Sequence, residues 1–186
     1  MSSQCTMTLN VTLDSALIKR VKQVAFLEGD FVTRAGKKTS YYIDKYLLET
    51  QPDILDALTT EIANRLPDPD TYDIIAAPEL GAVPLAAVIS VKAKKPYVIV
   101  RKASKEYGTA KLIEGGFKEG QRAVLVEDVL TTGGAAIRAC DILLDNNISI
   151  VKVFGIINRE EGALDNIQAK GWDVEALITT TDLKSC

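Results

Sequence analysis

The sequence predicts an α/β fold, a central parallel sheet flanked by helices. Short apolar runs suited to buried strands recur at Asp73–Ala77, Tyr97–Arg101, Arg122–Glu127, Lys152–Ile157 and Val174–Thr179. Helical stretches alternate with them at Ala82–Ala93, Gly134–Asn146 and about Gly162–Lys170. Strand cores that are apolar throughout and alternate with helices mean a sheet covered on both faces. In such sheets ligands collect at the carboxyl ends of the strands.

The elements before this alternation read in order. From Leu13 to Leu27, Leu13, Leu17, Val21 and Val24 fall on one face with Lys and Arg opposite, an amphipathic helix stopped by Glu28-Gly29-Asp30. Phe31 to Tyr42 holds Gly36, a basic pair and alternating Tyr and Ile, which suggests a hairpin-like piece. Pro52 suits the first turn of a helix running to about Arg65. The apolar run Ile74–Val91 approaches the length of a membrane span, but Pro78, Glu79 and Pro84 break it into strand, loop and helix. Residues 102–116 fit no regular element. They are basic at the start and rich in small residues, which suits either a solvated surface loop or a lid.

The bulk numbers fit one domain, residues 1–186, with 47% hydrophobic and 25% charged residues. A net charge of −3 argues against broad binding to nucleic acid or an anionic membrane. Cys5, Cys140 and Cys186 form no CxxC pair, and no signal peptide precedes them, so a reduced cytoplasmic location fits. With no histidine in the chain, Ser-His-Asp catalysis, Cys-His catalysis and histidine-ligated metals are excluded. Chemistry must rest on carboxylates, lysines, arginines and hydroxyls. No GxGxxG occurs, and Gly115 and Gly120 are followed by Gln121-Arg122 rather than the Lys and Ser/Thr of a P-loop.

The most informative stretch runs from Ala123 to Ala136. Four apolar residues lead into Glu127-Asp128, then Thr131-Thr132-Gly133-Gly134 and a helix. Glycines let backbone N–H groups converge on a phosphate, and the following helix start adds its positive dipole end. The carboxylates can accept hydrogen bonds from vicinal hydroxyls. Read from the residues alone, this is a phosphate-sugar site or an ordinary strand–turn–helix connection with solvated charges.

The segment closely resembles the signature for 5-phosphoribosyl-1-pyrophosphate (PRPP) in type I phosphoribosyltransferases. The resemblance implies that Glu127 and Asp128 contact the ribose hydroxyls. It extends the PRPP-binding loop over Val129, Leu130, Thr131, Thr132, Gly133, Gly134 and Ala135, with Thr131 through Ala135 cradling the 5′-phosphate. Three further segments resemble orotate phosphoribosyltransferase: Arg101-Lys102-Ala103-Ser104-Lys105-Glu106-Tyr107-Gly108, Phe31 through Asp44, and Asn158-Arg159-Glu160-Glu161-Gly162-Ala163. Residues Pro78 through Pro84 resemble the loop that meets the pyrophosphate.

That resemblance implies catalytic roles for Arg101, Lys102, Lys105 and Asp128, the three cations also binding PRPP. It implies orotate contacts from Arg159, Thr131, Arg34, Tyr41 and Tyr42. It also implies Mg²⁺ held through PRPP oxygens with no direct protein ligand, and a homodimer whose loops are exchanged between active sites. A small hood of about residues 1–50, to which the C-terminal end can add, would cover the sheet, with a mobile loop at about 102–116. Chemically, displacing pyrophosphate from the ribose C1 builds negative charge on the leaving group, where cations help, and a closed lid excludes water. The planar Arg159 guanidinium suits the orotate carboxylate. It also suits an ion pair with Glu160 or Glu161, and both tyrosines also suit a core.

The chain departs from the family pattern at three places. Tyr107 replaces the loop histidine, Asn158 replaces an aspartate, and no lysine stands at Leu80-Gly81 as it does in some relatives. A phenol with pKa near ~10 is a poor base at neutral pH. A phosphoribosyltransferase for another base and a non-catalytic PRPP-binding regulator are the competing readings.

Overall fold

A computed structural model describes residues 13–32, 36, 38–102 and 111–186. Helix α1 (Ser15–Ala25) begins where the Asp14 carboxylate accepts the Ala16 N–H at 2.9 Å, and it buries Val21 and Ala25. It ends two residues short of the predicted Leu27, because Phe26 and Leu27 open strand β1 (Phe26–Val32). This strand pairs antiparallel with β2 (Lys38–Ile43), the predicted hairpin. Glu28-Gly29-Asp30, read as a helix stop, lies inside β1 where the register shifts between Glu28 and Phe31. Helix α2 (Lys45–Glu49), unforeseen in the sequence, follows at once. The Asp44 carboxylate caps it by accepting the Tyr46 and Leu47 N–H groups.

Helix α3 (Pro52–Arg65) matches its prediction and carries Pro52 in its first turn. Then come β3 (Ile74–Pro78), α4 (Ala82–Ala93), β4 (Tyr97–Val100), the two-residue β5 (Ile113–Glu114) and β6 (Arg122–Leu130). The chain closes with α5 (Gly134–Asp145), β7 (Ser149–Asn158), α6 (Ala163–Gln168), β8 (Val174–Thr179) and α7 (Thr180–Ser185). The main sheet has the order β5-β4-β3-β6-β7-β8, parallel except for β5. This is the predicted α/β class, with a short antiparallel edge added. From β3 the chain first crosses to β4 on one side and then returns to β6 on the other. The strand order therefore reverses between β3 and β6, and the crevice past their carboxyl ends is where such sheets bind ligands.

Both faces of the sheet are buried, as period-two alternation requires. Ile75, Ala77, Val124 and Val126 point into one core with Val21 of α1, Leu58 of α3, Leu85 of α4 and Leu183 of α7. Ile74, Ala76, Ala123 and Leu125 point into the other with Ala139 and Leu143 of α5 and Ile167 of α6. Strand β6 outruns its predicted end at Glu127: Val129 and Leu130 still pair with Ile157 and Asn158 of β7, so the acidic pair lies inside the strand rather than at its end. Among the described residues, no helix is long and apolar enough to cross a membrane.

Candidate active site

The β6–α5 connection forms a cradle. A cavity of about 200 Å³ is lined by Glu127 and by residues 129–136, which include every residue of the predicted phosphate loop. Gly133 holds the turn with φ of 80°, and a Cβ there would lie 3.1 Å from the Ala163 carbonyl and from the Ile167 side chain. Helix α5 starts without a side-chain cap, leaving first-turn N–H groups for an anion at the positive end of its dipole. The Asn166 side-chain amide donates to the Thr132 carbonyl at 2.9 Å and ties the loop to α6.

The acidic pair divides its contacts. Glu127 borders the cradle, whereas Asp128 turns to α2, where its Oδ2 accepts the Lys45 ammonium at 2.6 Å. The Asp128 Oδ1 accepts the Val129 N–H, also at 2.6 Å, so both oxygens are fixed. Burial, reinforced by the neighbouring Asp128, pushes the Glu127 carboxyl well above the usual carboxylate range, and its Oε2 has no hydrogen-bond partner. Glu49, one turn after Lys45, is only 4% exposed, and its Oε1 is buried without a partner. Burial and then Asp128 raise its pKa to about 8, which keeps it protonated at neutral pH. Burial opposes the charge on Lys45, but its contact with Asp128 outweighs this and lifts the ammonium above the ordinary lysine value. Gly81, leading into α4, closes the cluster: a Cβ there would sit 1.8 Å from the Asp128 Oδ2.

Glu79 organises the cations at the end of β4. Its carboxylate pairs with the Arg101 guanidinium at 3.6 Å and accepts the Lys102 backbone N–H at 2.8 Å. Arg101 also reaches Glu114 of β5 at 3.4 Å. The peptide between Glu79 and Leu80 is cis. Pro78, Arg101 and Lys102 share a narrow cleft with Ala135 and Arg138 of α5, so the β3 and β4 ends face the cradle. Lys105 and Arg34, together with Tyr107 and Lys37, lie outside the described residues.

Arg159 follows β7. Its side chain is 15% exposed and pairs with Glu161 at 3.2 Å, the ion pair that the sequence allowed. Its guanidinium also lies 5.2 Å from the centre of the Tyr41 ring and donates to the Tyr41 hydroxyl at 3.4 Å. Tyr41 stacks on Phe26, and the Lys184 ammonium of α7 lies 4.7 Å from its ring centre. The structure therefore brings Tyr41 to Arg159 but not Tyr42, which is 45% exposed with its ring against Phe31. Neighbouring strand residues point to opposite faces, so one tyrosine of the pair is carried away. Asn158 accepts the Glu160 N–H at 2.9 Å through its side-chain oxygen, a role an aspartate would fill equally.

Comparison with known proteins gives this geometry a family. Residues 47–178 match the phosphoribosyl transferase domain. The orotate phosphoribosyltransferase of Pyrococcus horikoshii is 44% identical over 83% of this chain and 84% of its own length. That of Methanocaldococcus jannaschii is 41% identical over 92% of this chain and 97% of its own. The chain belongs to the orotate phosphoribosyltransferase family. Among solved structures, the orotate phosphoribosyltransferase of Aeropyrum pernix matches with a TM-score of 0.79 at 25% identity, covering 92% of this chain and 96% of that one. The Mycobacterium tuberculosis orotate phosphoribosyltransferase in complex with PRPP matches with a TM-score of 0.75 at 25% identity, covering 91% and 98%.

The sequence reading missed Lys45, Glu49, Lys184 and Arg138 around this site. Lys45 and Glu49 carried one signal, a Lys and Glu four residues apart after a capping Asp, which reads more simply as an exposed helical pair. Among the described residues, no group of three or more His, Cys, Asp or Glu is arranged to hold a metal ion.

Proposed function

We propose that this protein transfers the 5-phosphoribosyl group from PRPP to orotate, giving orotidine 5′-phosphate and pyrophosphate in de novo pyrimidine (UMP) synthesis. One observation carries the reading: the Asp128 carboxylate, fixed at both oxygens, stands beside the Gly133 cradle at the reversal of strand order. A phosphate in the cradle and a ribose over Glu127 and Asp128 would share one crevice. The names of the relatives supply the acceptor, and Arg159 beside Tyr41 offers an orotate carboxylate a two-pronged donor.

In this reading the orotate ring nitrogen bonds to the ribose C1 as the C1–O bond to pyrophosphate breaks. The electron pair leaves with the pyrophosphate. Asp128 and Glu127 hold the hydroxyls, residues 131–135 hold the 5′-phosphate, and Arg101 and Lys102 face the leaving group's charge. Arg159, Thr131, Tyr41, Tyr42 and Arg34 are the base contacts, with Tyr41 the better placed of the two tyrosines. Mg²⁺, bound through the donor's own oxygens beside the acidic pair, would neutralise pyrophosphate. Lys105 belongs to this set by resemblance.

The remaining assignments have their own support. The single unit 1–186 follows from length, and the hood at about 1–50 and a mobile loop from the resemblance. The loop, expected over about 102–116, is cut back at its far end by β5 (Ile113–Glu114), which pairs with β4. Helix α7 carries Lys184 to the hood residue Tyr41. A homodimer is favoured by Leu27, Tyr46 and Leu47, apolar groups exposed on the hood, and the exchange of loops between its sites rests on the resemblance alone. A cytoplasmic location fits a buried, free Cys140.

The test mixes purified protein with orotate, PRPP and Mg²⁺ and follows the ultraviolet absorbance of orotate. The expected result is metal-dependent loss of orotate with equimolar pyrophosphate release. Preferred turnover of a purine would overturn the acceptor, and PRPP binding without turnover of any base would overturn the enzyme reading.

A further inference from the structure

Lys45 is an ammonium held by one carboxylate at the start of α4, with N–H donors to spare. Its Nζ lies 2.6 Å from the Asp128 Oδ2 and would lie 2.8 Å from a Cβ at Gly81, so it touches the loop that leads into α4. Gly81 provides no side-chain cap, and although the Val83 N–H is taken by the Leu80 carbonyl and Pro84 has none, the positive end of this twelve-residue helix faces the same spot. A cation there works against the dipole, and a single carboxylate, Asp128, offsets it. Among the described acids of the cluster, only Asp128 pairs with the ammonium, and burial disfavours the charged forms of Glu49 and Glu127. Arg101 is engaged by Glu79 and Glu114, and Arg159 by Glu161. An ammonium has three N–H donors, and Asp128 takes one of them. The side chain is still 32% exposed.

We propose that the Lys45 ammonium binds the pyrophosphate group of the phosphoribosyl donor, bridging a leaving-group oxygen to the Asp128 carboxylate that holds the ribose. The inference rests on the donor site assigned above and extends it to a residue of the hood. It gives α4 and Lys45 one shared anion at a spot kept open by Gly81, where a Cβ would lie 1.8 Å from the Asp128 Oδ2 and 2.8 Å from the Lys45 Nζ. Lys45 would then stabilise the charge that grows on pyrophosphate as the C1–O bond opens.

The test is calorimetry on full-length protein with three ligands in Mg²⁺: PRPP, pyrophosphate, and orotidine 5′-phosphate, which has the ribose and 5′-phosphate but no pyrophosphate. Lys45→Met is expected to weaken PRPP and pyrophosphate binding about tenfold or more, as for a lost charged hydrogen bond, while orotidine 5′-phosphate changes by less than about threefold. Lys45→Arg should recover most of the loss. Equal weakening of all three ligands, or of none, would overturn the proposal. A second measurement needs no variant: reductive methylation of the wild-type protein, mapped by mass spectrometry, should show Lys45 protected by pyrophosphate and not by orotidine 5′-phosphate. Equal labelling in both would overturn it as well. Wild-type protein that binds neither PRPP nor pyrophosphate would overturn the donor-site assignment itself, an outcome separable from failure of the Lys45 variants alone.

Discussion

The two walls of the crevice are built from different materials. The α5 side is almost all backbone: Gly133 at positive φ, an uncapped helix start, and Thr131 and Thr132 as the hydroxyls. The α2 side is made of side-chain charge, with two further acids and one lysine packed around Asp128. A backbone cradle is preformed and insensitive to pH, because N–H groups do not titrate in the working range. A cluster of buried acids holds its geometry only while protons and charges balance. The first wall suits a phosphate that is unchanged by the reaction. The second suits the groups around C1, where charge shifts.

That contrast can be broken from either side. The largest effect should come from Gly81→Ala on the charged wall. Its methyl would lie 1.8 Å from the Asp128 Oδ2, so the carboxylate or Lys45 must move. A displacement of that size is expected to lower kcat/KM for PRPP about a hundredfold. Steady-state kinetics at varied PRPP would check it, with urea unfolding alongside to separate a displaced site from lost stability. Gly133→Ala on the backbone wall should act mainly on folding. A positive φ of 80° and contact with the Ala163 carbonyl should cost about 1–3 kcal/mol, read as a lower urea midpoint.

The last effect concerns pH and separates the walls most cleanly. The folded pKa of Glu49, about 8, lies above its ordinary value of 4.5. Between those values the folded chain keeps a proton that the unfolded chain releases. Glu49 therefore makes stability fall as pH rises through this window, by at most about 1.4 kcal/mol per pH unit, and adds no further slope above pH 8. Glu49→Gln should flatten that fall, gaining stability relative to wild type more at pH 8 than at pH 5. Urea midpoints at the two pH values would show it, and parallel profiles for the two proteins would contradict it.

How much of this could be read from the chain follows the same division. The backbone wall was legible, because Val124–Val126 announce a buried strand and Thr131-Thr132-Gly133-Gly134 can do little but turn. Ile113 and Glu114 were not legible as β5, since two residues carry no period and their strand character comes wholly from pairing with Val100 and Ile99. Nor was α2, a five-residue helix too short for a repeating face. Glu49 follows two leucines and looks like the solvent end of a turn. Only the tertiary approach of Asp128 makes it a buried acid. Tyr41 and Tyr42 appeared as a pair, and strand alternation separated them. Charge placement in the site depends on which elements meet, which local patterns do not encode.

The pairing of β5 with β4 bears on how such an enzyme can change over generations. The Arg101 N–H donates to the Leu112 carbonyl at 2.8 Å, and Val100 pairs with Ile113, so residues 101 and 112 are held side by side at the sheet edge. A connection whose two ends are already fastened together pays little for altered length: doubling such a segment costs only about 0.6 kcal/mol in closure entropy. Changes of length between those anchors therefore need not disturb the central strands, and what the connection must keep is set by the cations assigned to it, Lys102 and Lys105.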